Sequence, residues 1–289
     1  MSRRPAASDE ASVARLRYRL GRRFALRDLP LRLEGATRTW VVTLPADPDA
    51  PLDQMAARQK LRPPAEAQAL PDALPNEKGS VRRRGTSERA AAAARATVAG
   101  GAHLPYWALL WPSGLALAEA LLADPACAQG KRTLELGCGL GVTAAVALAL
   151  GARLTISDLF DEALLFAEYN TRRCVGQAPA TLLLNWRTSA GRERLLSMGP
   201  FDLLLAADVL YEPEDLEPLL ALAPALLAPG APFWLAEPGR KASRAFVAEA
   251  LARGWRDQPS VAERAWPPDG DVTRVVVHRF TLPGEVNGP

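Results

Sequence analysis

Leu134-Glu135-Leu136-Gly137-Cys138-Gly139-Leu140-Gly141 is the stretch around which this chain is organised. An apolar run ends in an acid and three alternating glycines, and an alanine-rich helical pattern, Val142–Leu150, follows. A residue without a Cβ lets the backbone turn tightly and come close to a ligand, so this pattern predicts a close-approach turn between a strand and a helix. The spacing is Glu-x-Gly-x-Gly-x-Gly, one residue away from the Gly-x-Gly-x-x-Gly of dinucleotide sites, which argues against a pyrophosphate ligand.

Downstream of the turn, strands and helices alternate. Strands are expected at Arg132–Leu136, Arg153–Ser157, Thr181–Leu184, Phe201–Ala207 and Pro232–Ala236, and two more around Gln258–Glu263 and Arg274–Thr281. Helices are expected at Asp161–Cys174 with Asp161 as N-cap, at Leu216–Leu227, and at Ala242–Arg253, closed by Gly254. Continuous apolar strands separated by helices predict an α/β fold with a mostly parallel sheet covered on both faces. Upstream lies Pro105-Tyr106-Trp107-Ala108-Leu109-Leu110-Trp111-Pro112-Ser113-Gly114, before a helical pattern over Leu115–Leu122. Pro112 suits a helix start and Ser113 an N-cap. Trp107 is assigned to the core; Trp111, on the loop entering the helix, suits either core packing or the wall of a ligand site.

The first 45 residues form an extension, with a basic helix expected over Ala11–Phe24 and short strands at Leu29–Leu33 and Arg38–Leu44. Residues 46–101 change composition: Pro45, Pro48, Pro51, Pro63, Pro64, Pro71 and Pro75 break any long element, and the apolar content is mostly alanine. This segment is expected to be a partly disordered linker or insertion, with a helix around Thr86–Val98 and a solvated Arg82-Arg83-Arg84 run. The main domain is placed at 102–282 and a tail at 283–289.

The composition excludes several classes. The chain has 289 residues, 35 basic and 32 acidic, a net charge of +3 that leaves no global nucleic-acid footprint. Three widely spaced cysteines (Cys127, Cys138, Cys174) and two histidines (His103, His278) argue against a disulfide scaffold or a zinc site. No apolar run reaches the ~18 residues of a membrane span, and the N-terminus lacks a signal-peptide apolar region. A cytoplasmic monomer without membrane or metal partner is the expectation.

Asp158, Asn185, Trp186, Asp208, Tyr211 and Glu237 each follow the carboxyl end of an expected strand. In open α/β sheets ligands bind outside those ends, so unrelated segments converge on one cleft. Asp158, at the end of the strand that follows the glycine turn, is placed to accept both hydroxyls of a ribose. Glu237 lines the cleft or only ends its strand. Arg240 binds an acidic partner surface or a substrate carboxylate, or is a solvated arginine at a helix start. Cys138 has no His or second Cys placed to make it a nucleophile and is read as a small filler of the turn.

Glu135-Leu-Gly-Cys-Gly-Leu-Gly141 together with Asp158 resembles the class I S-adenosylmethionine-dependent methyltransferases. Pro105–Gly114, Ala207-Asp208-Val209-Leu210-Tyr211 and Glu237-Pro238-Gly239-Arg240 resemble the seven-β-strand protein lysine methyltransferases, and are closest in look to those acting on an electron-transfer-flavoprotein β subunit. The resemblance covers roughly 104–282. It implies a three-layer, Rossmann-like, seven-stranded α/β fold with an irregular N-terminal extension, and S-adenosyl-L-methionine as cofactor. It implies that Gly137, Cys138, Gly139 and Gly141 form the cofactor loop. Glu135 would sit near the cofactor amino group or hold the loop, Trp186 would lie beside the adenine, Trp111 would wall the cofactor, and the Ala207 backbone would contact it. Asp208 and Tyr211 would border the acceptor, a protein lysine, with Asp208 drawing in the ammonium and Tyr211 offering a π face or a hydroxyl. No general base is assigned. A small-molecule N- or O-methyltransferase, a non-catalytic scaffold binding nucleic acid through residues 78–95, and a nicotinamide dehydrogenase are the competing expectations.

Overall fold

A computed structural model describes residues 7–54, 105–266 and 270–282. The expected helix at Thr86–Val98, the Arg82–Arg84 run and His103 lie outside the described residues. The chain divides into two compact units, residues 1–47 with 106–289 and residues 48–105; of the second, the described residues 50–54 are helical.

The central sheet of the first unit is built from β3 (Arg132–Leu136), β4 (Arg153–Asp158), β5 (Ala180–Leu183), β6 (Leu203–Ala207), β7 (Pro232–Glu237), β8 (Arg256–Asp257), β9 (Ser260–Ala265) and β10 (Val272–Thr281). The order is β5-β4-β3-β6-β7-β10-β8, with β9 also on β10. The first five strands are parallel; β10 is antiparallel to β7. The sheet has eight named strands where seven were expected, for a local reason. β8 and β9 pair with β10 in one continuous register, Phe280 opposite Asp257 and Val277 opposite Ser260. Pro259, which has no N–H for the ladder, lies between them, so one edge strand is split in two.

Leu134, Leu136, Ile156, Leu203–Ala206, Phe233 and Leu235 have essentially no exposed surface, as strands covered on both faces require. On one side α2 (Pro112–Ala123), α3 (Val142–Ala149) and α4 (Asp161–Val175) pack in sequence. On the other, α5 (Ser189–Leu196), α6 (Leu216–Leu226) and α7 (Lys241–Ala252) close over an aromatic and leucine layer of Leu195, Leu219, Phe246 and Trp255. The expected elements recur with ends shifted by a few residues; α5 was not anticipated, since its sequence Ser-Ala-Gly-Arg-Glu-Arg-Leu-Leu buries little beyond Gly191 and Leu195.

Two expected caps are corrected. α2 begins at Pro112 with Trp111 in the N-cap position, and the Ser113 hydroxyl is buried without a partner. α4 has Phe160 at its N-cap; Asp161 falls in the first turn, where its charge still favours the helix dipole.

The N-terminal extension is more regular than expected. α1 (Ala7–Gly21) and an antiparallel hairpin, β1 (Leu26–Leu31) with β2 (Trp40–Pro45), lie against α4. Leu20, Phe24, Trp40 and Val42 are buried there. Asn170 on α4 is the joint: its amide donates to the carbonyls of Thr43 and Leu140, both at 2.9 Å, and its carbonyl accepts the Thr43 N–H at 2.8 Å. The hairpin is thereby tied to the glycine turn.

Candidate active site

The order of strands reverses between β3 and β6, and the residues singled out from the sequence gather around the carboxyl ends there. On the β3 side is the glycine turn. Gly137 has φ +67, and a Cβ there would meet Val209 Cγ1 at 2.9 Å. Gly141 has φ +79, caps α3, and a Cβ would fall 2.7 Å from the Ala167 backbone, so this glycine seats α3 against α4. The Gly139 N–H donates to Asp158 Oδ2 at 3.1 Å, and the Phe160 N–H to Oδ1 at 3.0 Å. Asp158 therefore holds the turn itself, with acceptor capacity left over for a second partner.

Glu135 is 2% exposed and its Oε2 has no hydrogen-bond partner. Burial, then the neighbouring Asp158 charge, push its pKa up to about 8, against a smaller opposing effect from Thr143. Burial also lifts Asp158 to about 6, although three backbone N–H groups pull it down. Two buried carboxyls with an orphaned oxygen make a pocket wall that favours a cationic or hydrogen-bond-donating ligand. Burial and the same two acids raise the Cys138 thiol far above its ordinary range, which keeps it protonated and agrees with a filler role.

On the β6 side the backbone is strained. Asp208 has φ +56, the single non-glycine residue with positive φ among the described residues. It is 3% exposed. Arg240 Nε donates to Asp208 Oδ1 at 2.8 Å and Nη2 to Oδ2 at 3.1 Å. Arg240 is therefore neither a merely solvated helix-start arginine nor turned to an outside carboxylate: its partner is Asp208 of the same chain. Tyr211 stands beside the pair, 5.9 Å from the guanidinium. Burial, then Asp208 and Asp158, raise its phenol well above the usual range, so it is a neutral donor and a π face at any physiological pH.

Trp111 sits with this group. Its indole N–H donates to the Tyr106 carbonyl at 2.9 Å, and its ring lies 5.7 Å from the Arg240 guanidinium. Trp107 is buried against Phe24 and Phe166, as expected. Trp186 follows β5, packs on the apolar layer under α5 and α6, and has the Arg187 guanidinium 5.7 Å from its ring. Ala207 pairs with Ala236 at the end of β6.

Two supporting groups escaped sequence reasoning. Asp215, wholly buried, accepts the N–H groups of Tyr211 at 3.0 Å and Glu212 at 2.9 Å and pairs with Arg187, joining the Trp186 loop to the Tyr211 loop. Its signal was the acid four residues after Tyr211, a capping-box pattern. Glu237, buried at the end of β7, accepts from the Gly239 N–H and the Ser243 hydroxyl and lies 3.5 Å from His278 Nε2. His278 Nδ1 is 2.6 Å from Asp257. Burial alone would lower the His278 pKa, but the two carboxylates outweigh it and lift it to about 9. Glu237 thus ends its strand by shaping the turn that carries Arg240. Nothing local in the sequence links positions 237, 257 and 278, which meet only through the β7–β10–β8 ladder.

Among the described residues no group of three or more His, Cys, Asp or Glu is arranged to hold a metal ion, and no helix is long and apolar enough to cross a membrane. A groove of about 440 Å³ lined by Arg132, Arg153 and Phe201 lies at the opposite, amino ends of β3 and β4, away from the site.

Residues 107–249 match the lysine methyltransferase family. This segment holds the glycine turn, Asp158, Trp186, Asp208, Tyr211 and Arg240. The chain is 34% identical to the electron transfer flavoprotein β subunit lysine methyltransferase of Xenopus laevis over 138 residues, 47% of this chain and 53% of that protein. It is 30% identical to the histone-arginine methyltransferase METTL23 of Rattus norvegicus over 46% of this chain and 60% of that protein. The chain thus spans about half the length of the curated relatives it matches. A solved N-methyltransferase, NodS of Bradyrhizobium japonicum with S-adenosyl-L-homocysteine, aligns with 57% of this chain and 85% of that one at 17% identity and a TM-score of 0.43.

Proposed function

We propose that this chain is an S-adenosylmethionine-dependent methyltransferase that transfers the methyl group to a protein lysine side chain by in-line displacement. One observation carries the reading. At the switch point of the sheet, a buried acid with an orphaned oxygen and a glycine turn stand on one side, and a carboxylate flanked by aromatic rings stands on the other. The match of residues 107–249 to the lysine methyltransferase family, and relatives named for methylation of proteins, support it.

The residues present fit the cofactor. Asp158 has acceptor capacity for ribose hydroxyls, Glu135 Oε2 lacks a donor, and Gly137 and Gly139 leave the backbone bare. Trp186 is assigned to the adenine end. The cofactor supplies an activated sulfonium methyl, so the protein's task is alignment of the nucleophile. A lysine in solution has a pKa of about 10.4 and must lose its proton before it can attack. The Asp208–Arg240 pair carries no net charge, so the site does not hold the amine in its ammonium form as a lone carboxylate would. Tyr211, neutral, orients the amine. The catalytic domain is assigned to 102–282, with a cytoplasmic, monomeric chain and a protein acceptor.

Incubation of the chain with methyl-labelled cofactor and a cell lysate is expected to label a protein on lysine. Label found only in small molecules sinks the protein acceptor. Calorimetry is expected to show S-adenosylhomocysteine binding and no binding of NAD; the reverse overturns the cofactor assignment. A second reading is favoured by one observation: two aromatic rings, Trp111 and Tyr211, already flank a guanidinium, and a relative 30% identical over 135 residues is named histone-arginine methyltransferase. Label on arginine in the same experiment would select it.

A further inference from the structure

The loops that follow β5 and β6 leave the sheet with two strands between them, β4 and β3, whose carboxyl ends carry Asp158 and the glycine turn. One side chain joins the two loops. Asp215 has no exposed surface, and its oxygens face different partners. Oδ2 accepts the N–H groups of Tyr211 at 3.0 Å and Glu212 at 2.9 Å, and Oδ1 pairs with Arg187 Nε. Closing the Tyr211 turn needs Oδ2 alone, and a cap of that kind leaves its other oxygen to water. Here the other oxygen is buried and met by an arginine from the far loop. Taking a carboxylate out of water is costly, so the pairing is more than a local cap requires. We propose that Arg187 and Asp215 are positioning residues that pass occupancy of the adenine end of the cleft to the Tyr211 loop, so that bound cofactor orders the acceptor side before the acceptor arrives. The inference rests on the methyltransferase reading, in which the adenine lies beside Trp186.

Both ends of this link are stiff. Arg187 follows Trp186 directly, its guanidinium lies 5.7 Å from the indole, and its N–H donates to Asn185 Oδ1 at 2.9 Å. The Asn185 carbonyl accepts the Thr188 N–H at 3.1 Å and the Thr188 hydroxyl at 2.8 Å. α5 closes on the same carbonyl, since a Cβ on Gly191 would fall 1.9 Å from its oxygen. A shift of the Trp186 ring therefore carries Arg187 with it. At the other end, the left-handed backbone of Asp208 and the two N–H bonds to Asp215 fix where Tyr211 stands. A flat ligand resting on Trp186 holds Arg187, Arg187 holds Asp215, and Asp215 holds the backbone of Tyr211 and Glu212. Without that ligand the chain of contacts opens more often, because the Arg187 side chain is 23% exposed and can exchange its partner for water. Coupling between two sites is reciprocal in free energy and typically amounts to about 5–150-fold.

The test follows hydrogen exchange of the Tyr211 and Glu212 N–H groups by NMR in the full chain labelled with nitrogen-15, with and without saturating S-adenosylhomocysteine. Exchange of both is expected to slow about tenfold in wild type. In the double variant Arg187→Met, Asp215→Asn, the asparagine oxygen still accepts both N–H groups, so the cap stays and the link is cut. Its exchange is expected to respond by less than about twofold. Affinity for S-adenosylhomocysteine by calorimetry should stay close to wild type, since the loop is closed most of the time in either chain. A pair with a merely structural role would change stability and affinity and leave the exchange response intact. Equal slowing in wild type and variant overturns the proposal, and so does an absence of slowing in wild type. If the variant does not fold, two fragments of the cofactor answer the question in wild type. Adenosine at saturation should reproduce the slowing and L-methionine should not; any other pattern overturns the proposal. If S-adenosylhomocysteine does not bind at all, the methyltransferase reading falls and this inference with it. Binding without slowing removes the inference alone.

Discussion

Gly141 and Asp208 occupy the same left-handed region of backbone space for different reasons. At Gly141 the constraint is space: any Cβ collides with Ala167 on α4, whose backbone cannot retreat without lifting the helix. Gly141→Ala is expected to destabilise the fold by about 3 kcal/mol, combining overpacking with left-handed strain, measured by urea denaturation. At Asp208 there is a side chain to keep: the strained backbone aims a carboxylate that pairs with Arg240 beside the Trp111 and Tyr211 rings. Asp208→Asn tolerates the same φ and forfeits the charge. Methyl transfer is expected to fall about 10²-fold through misplacement of the acceptor, with S-adenosylhomocysteine affinity nearly unchanged by calorimetry. Loss of cofactor binding in that variant would show the two halves of the cleft to be wrongly divided. Asp158→Ala should do the reverse, because it removes the acceptor of the Gly139 N–H and loosens the turn.

Elements were legible where residue type and period agreed. The strand Arg132–Leu136, the glycine turn and the helix after it are local features, and the chain's order alone puts them together. Asp158 and Asp208 were found because each follows an apolar strand in a parallel sheet. What escaped was tertiary. The partnership of Arg240 with Asp208 spans 32 positions, and His278 reaches Glu237 only because β10 runs antiparallel beside β7. The regularity of the N-terminal extension was missed for the same reason: α1 and its hairpin are marginal alone and are ordered by α4. That docking hinges on Asn170. Asn170→Leu strips the partner from the Thr43 backbone and from Leu140 O, and is expected to cost about 2–4 kcal/mol in thermal or urea melts. It should also weaken cofactor binding, since Leu140 belongs to the glycine turn.

For the molecule as a whole, Asp158, Glu135 and His278 are among the buried groups that bind protons more tightly when folded. Asp158 rises from 3.8 to about 6, Glu135 from 4.5 to about 8, and His278 from 6.5 to about 9. A raised pKa contributes stability that is full below the unfolded value and is lost as pH climbs through the folded one. The cofactor-free chain is therefore expected to melt at progressively lower temperature from about pH 4, where Asp158 begins to titrate in the unfolded chain, to about pH 9, where His278 has titrated in the folded one. Calorimetric melts at several pH values would check this, and Glu135→Gln should flatten the part of the curve between pH 4.5 and about pH 8. A Tm that rises over this interval would contradict the arrangement of charges described above.

The clamp that His278 places on Glu237 also has a consequence for the order of synthesis. The strand that carries His278 is followed in the described chain only by residue 282, whereas the turn it steadies lies some forty residues earlier. A ribosome-bound chain can form the glycine turn and dock α3 and α4 long before β10 emerges from the exit tunnel. The contact of His278 with Glu237, which steadies the turn before Arg240, forms only after that strand has been translated and has paired with β7. The glycine turn is thus expected to order before the Glu237 turn is clamped, and arrest sequences placed on either side of residues 272–281 should separate the two in time.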